Sequence, residues 1–216
     1  MEVKYLAHSS FLITTSNGIR IITDPYESGG FGGEVRYKPI REGCDVILIS
    51  HEHTDHNYTR TIPGSPTIIR KPGEFKVCGI NFKGIPSYHD NTNGSQRGKN
   101  TIFVFTADGI TFCHLGDIGH LLTEKQRSQI VKPDVLFIPV GGVFTIDATQ
   151  ATQFVSSLAP RLVIPMHYKT SGIGFPLAPV GEFTMGKQRI KEIRNSEAEI
   201  VLPEQQEIWI FTPALL

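Results

Sequence analysis

Short apolar runs bounded by Gly, Pro, Asn or Asp set the strongest limit on how this chain can fold. Nine such runs are rich in β-branched and aromatic residues, and we interpret each as a strand: 4–15, 18–23, 45–50, 101–106, 110–115, 134–140, 161–166, 199–202 and 207–211. The dipeptides Asn17-Gly18 and Asp108-Gly109 are flanked by β-type sequence, which predicts two hairpins. Several strands are therefore expected to be antiparallel neighbours.

Helix-like stretches are few, and they separate the later strands singly. They cover 121–131, 147–158 with Asp147 as the N-cap, and 186–195, while loops are expected at 26–43, 86–100 and 170–182. Strands alone up to about residue 120, followed by helices alternating with strands, predict a mixed sheet or a pair of sheets with helices packed outside. No low-complexity linker divides the chain, so we expect one α/β domain over residues 1–216.

Charge and cysteine content exclude several classes of partner and site. The 21 Lys and Arg residues balance 21 Asp and Glu residues, so no overall basic field exists to hold nucleic acid. Cys44, Cys78 and Cys113 contain no CxxC pair, which argues against a disulfide framework or a cysteine zinc site. No run reaches the ~18 apolar residues that cross a bilayer. We expect a soluble, cytoplasmic protein that acts on a small-molecule substrate, and the oligomeric state stays open.

A dense group of metal-binding residue types follows the apolar run 46–49. The segment SHEHTDH at 50–56 carries His51, His53, Asp55 and His56, and divalent transition metals prefer such imidazole and carboxylate ligands. With eight His and eight Asp in the chain, this spacing arises by chance in about 4 of 10,000 cases. His51 and His53 can converge on one ion, while the turn carries Asp55 and His56 towards another. We therefore predict two metals.

Three further candidate ligands each follow or end a strand-like run: His89, Asp117 and His167. The ends of neighbouring strands meet at one edge of a sheet, so we expect these side chains to join the first group. The carboxylate of Asp117 has two oxygens, which suits the bridging of two cations, and Gly116 beside it permits close approach of the backbone.

These same residues carry a resemblance to the metallo-β-lactamase superfamily. The motifs LAHSSFLI, TDPY, RGKNTI, HLGDIGH, PVGG and IPMHYK are similar to its branch of small, mostly uncharacterised metal-dependent hydrolases, which also resembles the ascorbate-phosphate lactonases. The resemblance extends from about residue 3 to 212. It implies an αββα sandwich, in which two mixed β-sheets carry helices on their outer faces and a dinuclear site lies at one edge of the sheets.

The resemblance also implies a role for each candidate ligand. The first metal would be held by His51, His53 and His89, the second by Asp55, His56 and His167, and Asp117 would bridge the two. Asp24 matches an early Asp of the superfamily that supports the ligand loop, although before Pro25 it is also a plain turn former. Zinc is the expected metal, with manganese or iron as alternatives.

Three other histidines have more than one interpretation. His8 and His114 either contact the ligands from behind or are hydrogen-bonded core residues. His120 follows the proposed bridging residue and could also begin a helix, and we interpret it as a surface or capping residue.

Four polar residues are candidates for contact with the substrate or the reaction. Arg97 and Asn100 either bind substrate or belong to a solvated loop. Tyr168 and Lys169 directly follow His167, so a phenol or ammonium there is a candidate catalytic group that would stabilise negative charge. Strand alternation would point only one of these two side chains inward.

The expected reaction is hydrolysis at a dinuclear site. A bridging water that becomes hydroxide near neutral pH would attack a carbonyl carbon or phosphorus while one metal polarises the substrate oxygen. Asp55 would orient that water and pass its proton to the leaving group. An ester, lactone, thioester or phosphodiester is expected, and Arg97 with Lys169 favours an anionic one. The alternatives are an iron-dependent oxidoreductase or dioxygenase on the same fold, and a metal- or ligand-sensing domain without turnover.

Overall fold

The strands form two mixed sheets, as the sequence and its resemblance predicted. The computed structural model describes all 216 residues. Its strands are β1 (Glu2–Ala7), β2 (Ser10–Thr14), β3 (Arg20–Thr23), β4 (Val46–Leu48), β5 (Thr67–Ile69), β6 (Gly73–Val77), β7 (Ile80–Tyr88), β8 (Lys99–Ala107), β9 (Ile110–His114), β10 (Val135–Pro139), β11 (Leu162–Met166), β12 (Ile190–Ile193), β13 (Glu197–Glu199) and β14 (Glu207–Phe211). Its helices are α1 (Gly30–Gly33), α2 (Glu124–Gln129), α3 (Ala148–Leu158) and α4 (Val180–Thr184).

The order of the strands brings many carboxyl ends to one edge. One sheet has six strands in the order β13-β1-β2-β3-β4-β5, with β1, β2 and β3 antiparallel in turn and β3, β4 and β5 parallel. The other has eight in the order β12-β14-β11-β10-β9-β8-β7-β6. In that sheet β9, β10 and β11 are parallel, and β8 is antiparallel to both β7 and β9. Consequently β7, β9, β10 and β11 end at the same edge.

The main core lies between the two sheets. Alternate residues of the six-stranded sheet, such as Tyr5, Phe11 and Leu48, belong to a cluster of 41 buried residues that also contains the inward side chains of the eight-stranded sheet. Phe11 meets Phe137 of the opposite sheet with 4.4 Å between ring centroids. Burial of each such side chain is worth about 1.5–3 kcal/mol, so this contact layer supplies most of the driving force that holds the sheets together.

The outer face of the six-stranded sheet is covered by a loop. Leu12, Ile22 and Ile47 point away from the main core and pack with Tyr26 and Tyr37 in a second cluster of 13 buried residues. The covering segment, 26–43, contains only the single turn α1 and is otherwise irregular, as expected from its five glycines and Pro39. The longer helix α3 crosses between the parallel strands β10 and β11.

The predicted helices 121–131 and 147–158 are confirmed as α2 and α3. Asp147 caps α3 by accepting the backbone N–H of Gln150 at 2.8 Å. The two predicted hairpins are also present, because Asn17-Gly18 joins β2 to β3 and Asp108-Gly109 joins β8 to β9. The longest helix has 11 residues, and none has the length and apolar character that a membrane crossing requires.

Several predicted elements differ from the structure. The run 4–15 is two antiparallel strands, since His8 adopts a φ of 56° in a tight turn between them. The predicted helix 186–195 is wrong: Arg189 has a φ of 56°, and the following residues form β12, parallel to β14. The strands β5 and β6 were not predicted, β7 was indicated only as the strand-like run before His89, and the run predicted at 199–202 overlaps β13 at Glu199 alone. The loop expected at 86–100 begins inside β7 and ends inside β8, while that at 170–182 runs into α4.

Candidate metal centre

All seven sequence-predicted ligands converge at the edge where the strand ends meet. They follow β4, β7, β9 and β11, and they are His51, His53, Asp55, His56, His89, Asp117 and His167. Six are buried and His53 is half-buried. Backbone hydrogen bonds join the two sheets at this point, with His167 N donating to His8 O at 2.9 Å and Thr101 N donating to Ser50 O at 2.8 Å. The candidate ligands thus lie where the edges of the two sheets are joined by backbone hydrogen bonds.

The candidate ligands form two clusters. In the first cluster, His51, His53 and His89 each present a ring nitrogen, and these atoms lie within 4.8 Å of one another. The second cluster, with the same spacing limit, contains His8, Asp55, His56 and His167. The division matches the predicted grouping of HxH with His89 and of Asp55-His56 with His167. The structure adds His8 to the second cluster.

Asp117 lies between the two clusters. Its Oδ2 atom is 3.2 Å from His89 Nε2 and 3.9 Å from His51 Nε2, both of the first cluster. The same oxygen is 3.2 Å from His56 Nε2 and 3.1 Å from His167 Nε2, both of the second. One carboxylate therefore reaches both sets of imidazoles, which is the position that a bridging ligand requires.

Unpartnered polar atoms concentrate at this edge. Seven of the ten buried side-chain nitrogen and oxygen atoms that lack a hydrogen-bond partner belong to the two clusters or to Asp117. They include His51 Nε2, His56 Nε2, Asp55 Oδ1 and Asp117 Oδ1. Burial of an unpaired polar group costs about 1–3 kcal/mol, and metal coordination satisfies such atoms. This concentration of free donor atoms fits divalent cations with nitrogen and oxygen ligands.

Asp24 fixes the orientation of two of the imidazoles. It follows β3 with a φ of 38°, and it accepts the Ser50 backbone N–H at 2.7 Å and the Ser50 hydroxyl at 2.6 Å. His56 donates from Nδ1 to the same carboxylate at 3.0 Å, and His51 donates from Nδ1 to Ser50 Oγ at 2.9 Å. Because Nδ1 of each ring is engaged in these hydrogen bonds, Nε2 of both rings is the atom that faces Asp117 and that a metal would bind.

Burial and neighbouring charges shift the pKa values at the centre. Burial alone would lower the pKa of His56, but the Asp117 and Asp55 carboxylates raise it well above its usual range. Burial would raise the pKa of Asp117, yet His167 and His56 hold it well below its usual range. Burial and the neighbouring His56 lower the pKa of His51 well below normal. Asp117 is thus held ionised, while the pKa values of His56 and His51 are shifted in opposite directions.

The three additional histidines take different positions. His8 is fully buried, and burial together with His167 lowers its pKa to about 4. Its ring is neutral near pH 7, so Nε2–H donates to Asp55 Oδ2 at 3.1 Å. His114 has both ring nitrogens occupied, by Ser9 O and by the N–H of Gly116, and is a core residue behind the centre. His120 accepts the Tyr88 N–H at 3.2 Å, outside the clusters.

Asn100 and Gly116 hold the backbone of Asp117. Asn100 is buried and accepts the Asp117 N–H at 3.0 Å, while its amide donates to Leu115 O at 2.9 Å. Gly116 has a φ of +57°, and a Cβ there would lie 2.3 Å from Asn100 Oδ1. Asn100 was predicted to bind substrate, but it points to the backbone beneath the metal centre and does not line the cavity.

A cavity of about 230 Å³ opens directly above the centre. Its lining combines polar residues of the two clusters and Asp117 with Arg97 and three aromatic rings: Phe31, His53, Asp55, His89, Arg97, Asp117, Phe144, His167 and Phe175. Phe31 and Phe144 were not anticipated from the sequence. A phenylalanine within a glycine-rich segment was the one signal that could have drawn attention to Phe31.

Arg97 reaches the cavity because its loop is folded around Asp90. The Asp90 carboxylate accepts backbone N–H groups of Thr92, Gly94, Gln96 and Arg97 at 2.8–3.0 Å. Its oxygens are therefore occupied by the loop and form no ion pair with the guanidinium. The Arg97 guanidinium instead lies 5.4 Å from the centroid of the Phe144 ring, half-buried at the cavity wall.

The structure does not bring Tyr168 or Lys169 to the cavity. Tyr168 belongs to the main core, next to Tyr5, and burial raises the pKa of its phenol. Lys169 Nζ donates to Ile173 O and Phe175 O, each at 2.8 Å. The ammonium is therefore used to fold the loop that carries Phe175, and neither residue touches the position of the reaction.

Comparison with known proteins agrees with this geometry. The family model described as the beta-lactamase superfamily domain matches residues 2–167, well over half of the chain. The chain belongs to the metallo-β-lactamase superfamily. The resemblance noted in the sequence is thereby confirmed.

Relatives of this superfamily member align over almost its whole length. A UPF0173 metal-dependent hydrolase of Nanoarchaeum equitans is 30% identical over 96% of this chain and 99% of that protein. Another from Thermococcus onnurineus is 28% identical over 96% and 98%. A crystal structure from Thermotoga maritima, assigned to the Zn-dependent hydrolases of the superfamily, is 31% identical with a TM-score of 0.81 and covers 97% of each chain. The protein is thus an enzyme of the metal-dependent hydrolase class.

Proposed function

We propose that the protein hydrolyses a small ester, lactone, thioester or phosphodiester at a dinuclear metal centre. The position of Asp117 carries this proposal, because its one carboxylate lies within 3.9 Å of imidazoles from both clusters. A single ion would need only one cluster. The cavity above has a volume of about 230 Å³, which suits a small substrate.

The donor set names the residues that would hold each ion. His51, His53 and His89 fit the first ion, Asp55, His56 and His167 fit the second, and Asp117 fits the bridge. Imidazole nitrogen with carboxylate oxygen favours zinc, and the same ligands accept manganese or iron. Two such cations would polarise the substrate oxygen and lower the pKa of the attacking water.

We assign the proton transfer to Asp55. Its Oδ2 accepts from His8, whereas its Oδ1 has no partner, and the side chain lines the cavity. Its pKa is low despite burial, because His56 and His8 stabilise the carboxylate. An ionised oxygen at the cavity can orient water, accept its proton and return that proton to the leaving group. His8 keeps the carboxylate in this orientation.

Arg97 supplies a second recognition element. Its guanidinium forms no ion pair and stands at the cavity wall, so it is free to pair with an anionic group of the substrate. Lys169 does not take part in anion recognition, because its ammonium already donates hydrogen bonds to two loop carbonyls. We therefore assign anion recognition to Arg97 alone.

Metal analysis tests the dinuclear assignment. Purified protein reconstituted with zinc should contain two ions per chain; Asp117→Ala should lose both, and His167→Ala mainly one. His120→Ala is the matched control and should keep both, because His120 lies outside the clusters. Activity is then measured on one representative of each of the four bond types. Full activity with one ion per chain would refute the dinuclear centre.

A further inference from the structure

Three phenylalanine rings form one wall of the cavity, and the proposed reaction assigns no role to them. Phe31 lies in α1, Phe144 between β10 and α3, and Phe175 between β11 and α4. The Phe175 ring is central: it meets Phe31 at 5.4 Å and 83° and Phe144 at 5.7 Å and 80°. Both contacts have the edge-to-face geometry that aromatic pairs prefer.

Phe31 is not explained by the stability of the folded chain. Its backbone has a φ of 51°, a left-handed conformation that non-glycine residues rarely adopt, and its side chain is 49% exposed. The adjacent Gly32 has a φ of 66° in the same left-handed region, which glycine adopts without this steric cost. An unfavourable backbone conformation that exposes an aromatic ring at a cavity is typical of a ligand clamp.

The rest of the cavity lining includes five candidate ligands, which we call the polar floor: His53, Asp55, His89, Asp117 and His167. A substrate with its reacting bond at the floor must therefore place an adjoining group against the rings. The Arg97 guanidinium, 5.4 Å from the centroid of Phe144, borders that position.

We propose that the substrate carries an aromatic ring next to the bond that is cleaved, held by Phe31, Phe144 and Phe175. Aromatic rings pack on such side chains edge-to-face or offset. A cavity of about 230 Å³ leaves room for one ring with its reacting group. This inference rests on the proposed function, because the metal centre defines where the reacting bond lies. It narrows the substrate class from small esters in general to aryl-bearing ones.

Two metal-binding probes distinguish the contribution of the phenylalanine wall to binding from that of the metal centre. Acetohydroxamate and benzohydroxamate share the same chelating group and differ only in methyl against phenyl. Isothermal titration of zinc-loaded protein should show benzohydroxamate binding about tenfold tighter. Phe31→Gly and Phe175→Ala should each reduce this preference about three- to tenfold, since one ring contact is worth that factor, and leave acetohydroxamate binding unchanged.

Controls distinguish a lost contact from a damaged fold. Phe75→Ala removes a half-buried ring on β6, remote from the cavity, and should keep the full preference for benzohydroxamate. Phe31→Gly should unfold at the same temperature as the unsubstituted protein or a higher one, because glycine relieves the left-handed backbone. Zinc content should stay at the unsubstituted level in all three variants.

The outcomes are distinct. An undiminished preference for benzohydroxamate in both Phe31→Gly and Phe175→Ala would overturn the aromatic wall. Equal binding of the two hydroxamates to the unsubstituted protein would overturn it as well, while leaving the metal centre intact. Failure of both hydroxamates to bind would refute the metal centre of the proposed function, and the wall would fall with it.

Discussion

Replacement of Asp24 by Asn tests how the centre is held in its metal-binding state. Asp24 accepts three hydrogen bonds: Oδ1 accepts from Ser50 N, and Oδ2 accepts from Ser50 Oγ and His56 Nδ1. Asn has the same shape and tolerates the φ of 38°. However, its amide offers one acceptor atom where the carboxylate offers two, so an NH₂ group must face a donor in either orientation.

Both orientations of the amide weaken the centre. If the oxygen faces His56, the buried Ser50 N–H loses its acceptor, which costs about 1–3 kcal/mol and disturbs the residue before His51. If the oxygen faces Ser50 N, His56 loses the partner that keeps its proton on Nδ1. Loss of such support for a ligand lowers metal affinity about 10–100-fold, or about 1.4–2.7 kcal/mol.

Competition with a fluorescent zinc chelator measures this loss. Asp108→Asn is a matched control, because Asp108 also has a positive φ and also accepts the N–H and hydroxyl of one serine, Ser16, far from the centre. We expect weaker zinc binding in Asp24→Asn and unchanged binding in Asp108→Asn. Zinc affinity within twofold of the unsubstituted protein for Asp24→Asn would refute the orienting role.

Two further substitutions test Arg97 and Gly116. Arg97→Met should raise KM about tenfold for anionic substrates and leave KM for neutral analogues unaffected, since a charge-assisted hydrogen bond is lost. Equal kinetics on both kinds of substrate would contradict the assignment of anion recognition to Arg97. The same change in the exposed control Arg60→Met would contradict it as well. Gly116→Ala should lower the free energy of unfolding by about 2–5 kcal/mol, because its Cβ would meet Asn100 and Ser50 in addition to the cost of a positive φ. Gly18→Ala, with a φ of +85° and nothing within 4 Å, should lose only about 1–2 kcal/mol in denaturant unfolding, so similar losses in the two variants would refute the packing argument.

The ligand positions were accessible from the sequence because their spacing is local. Four candidate ligands lie within six residues after one strand, and His89, Asp117 and His167 each follow another strand. Parallel strand order then brings them to one edge. Their assignment to individual ions remains a prediction that the metal analysis tests.

Side-chain direction was not accessible in the same way. Alternation could not show that Tyr168 turns into the core or that Lys169 reaches back to two carbonyls of its own loop. Asn100 acts through a backbone contact to Asp117, 17 residues away, and no local pattern encodes that contact. Phe31 and Phe144 come together only through Phe175, on a third loop.

Errors in the predicted elements have local causes. The segment 186–195 has helical spacing, but tertiary pairing with β14 makes part of it a strand. β6 was missed because Glu74 and Lys76 interrupt its apolar pattern, and β5 was missed because it is only three residues long. The turn at His8 was hidden within a continuous β-type run, since serine and histidine are not strong turn signals.

Each of the two ligand clusters contains residues from both sheets. His51 and His53 come from the six-stranded sheet and His89 from the eight-stranded one, and the second cluster is divided in the same way between Asp55-His56 and His167. An ion bound at either cluster is a cross-link across the sandwich, and it can exist only while both halves are assembled. Free metal at 100 times its dissociation constant then adds about 2.7 kcal/mol to the unfolding free energy of the whole molecule. Metal binding at these residues would therefore stabilise the folded enzyme as well as supply its chemistry.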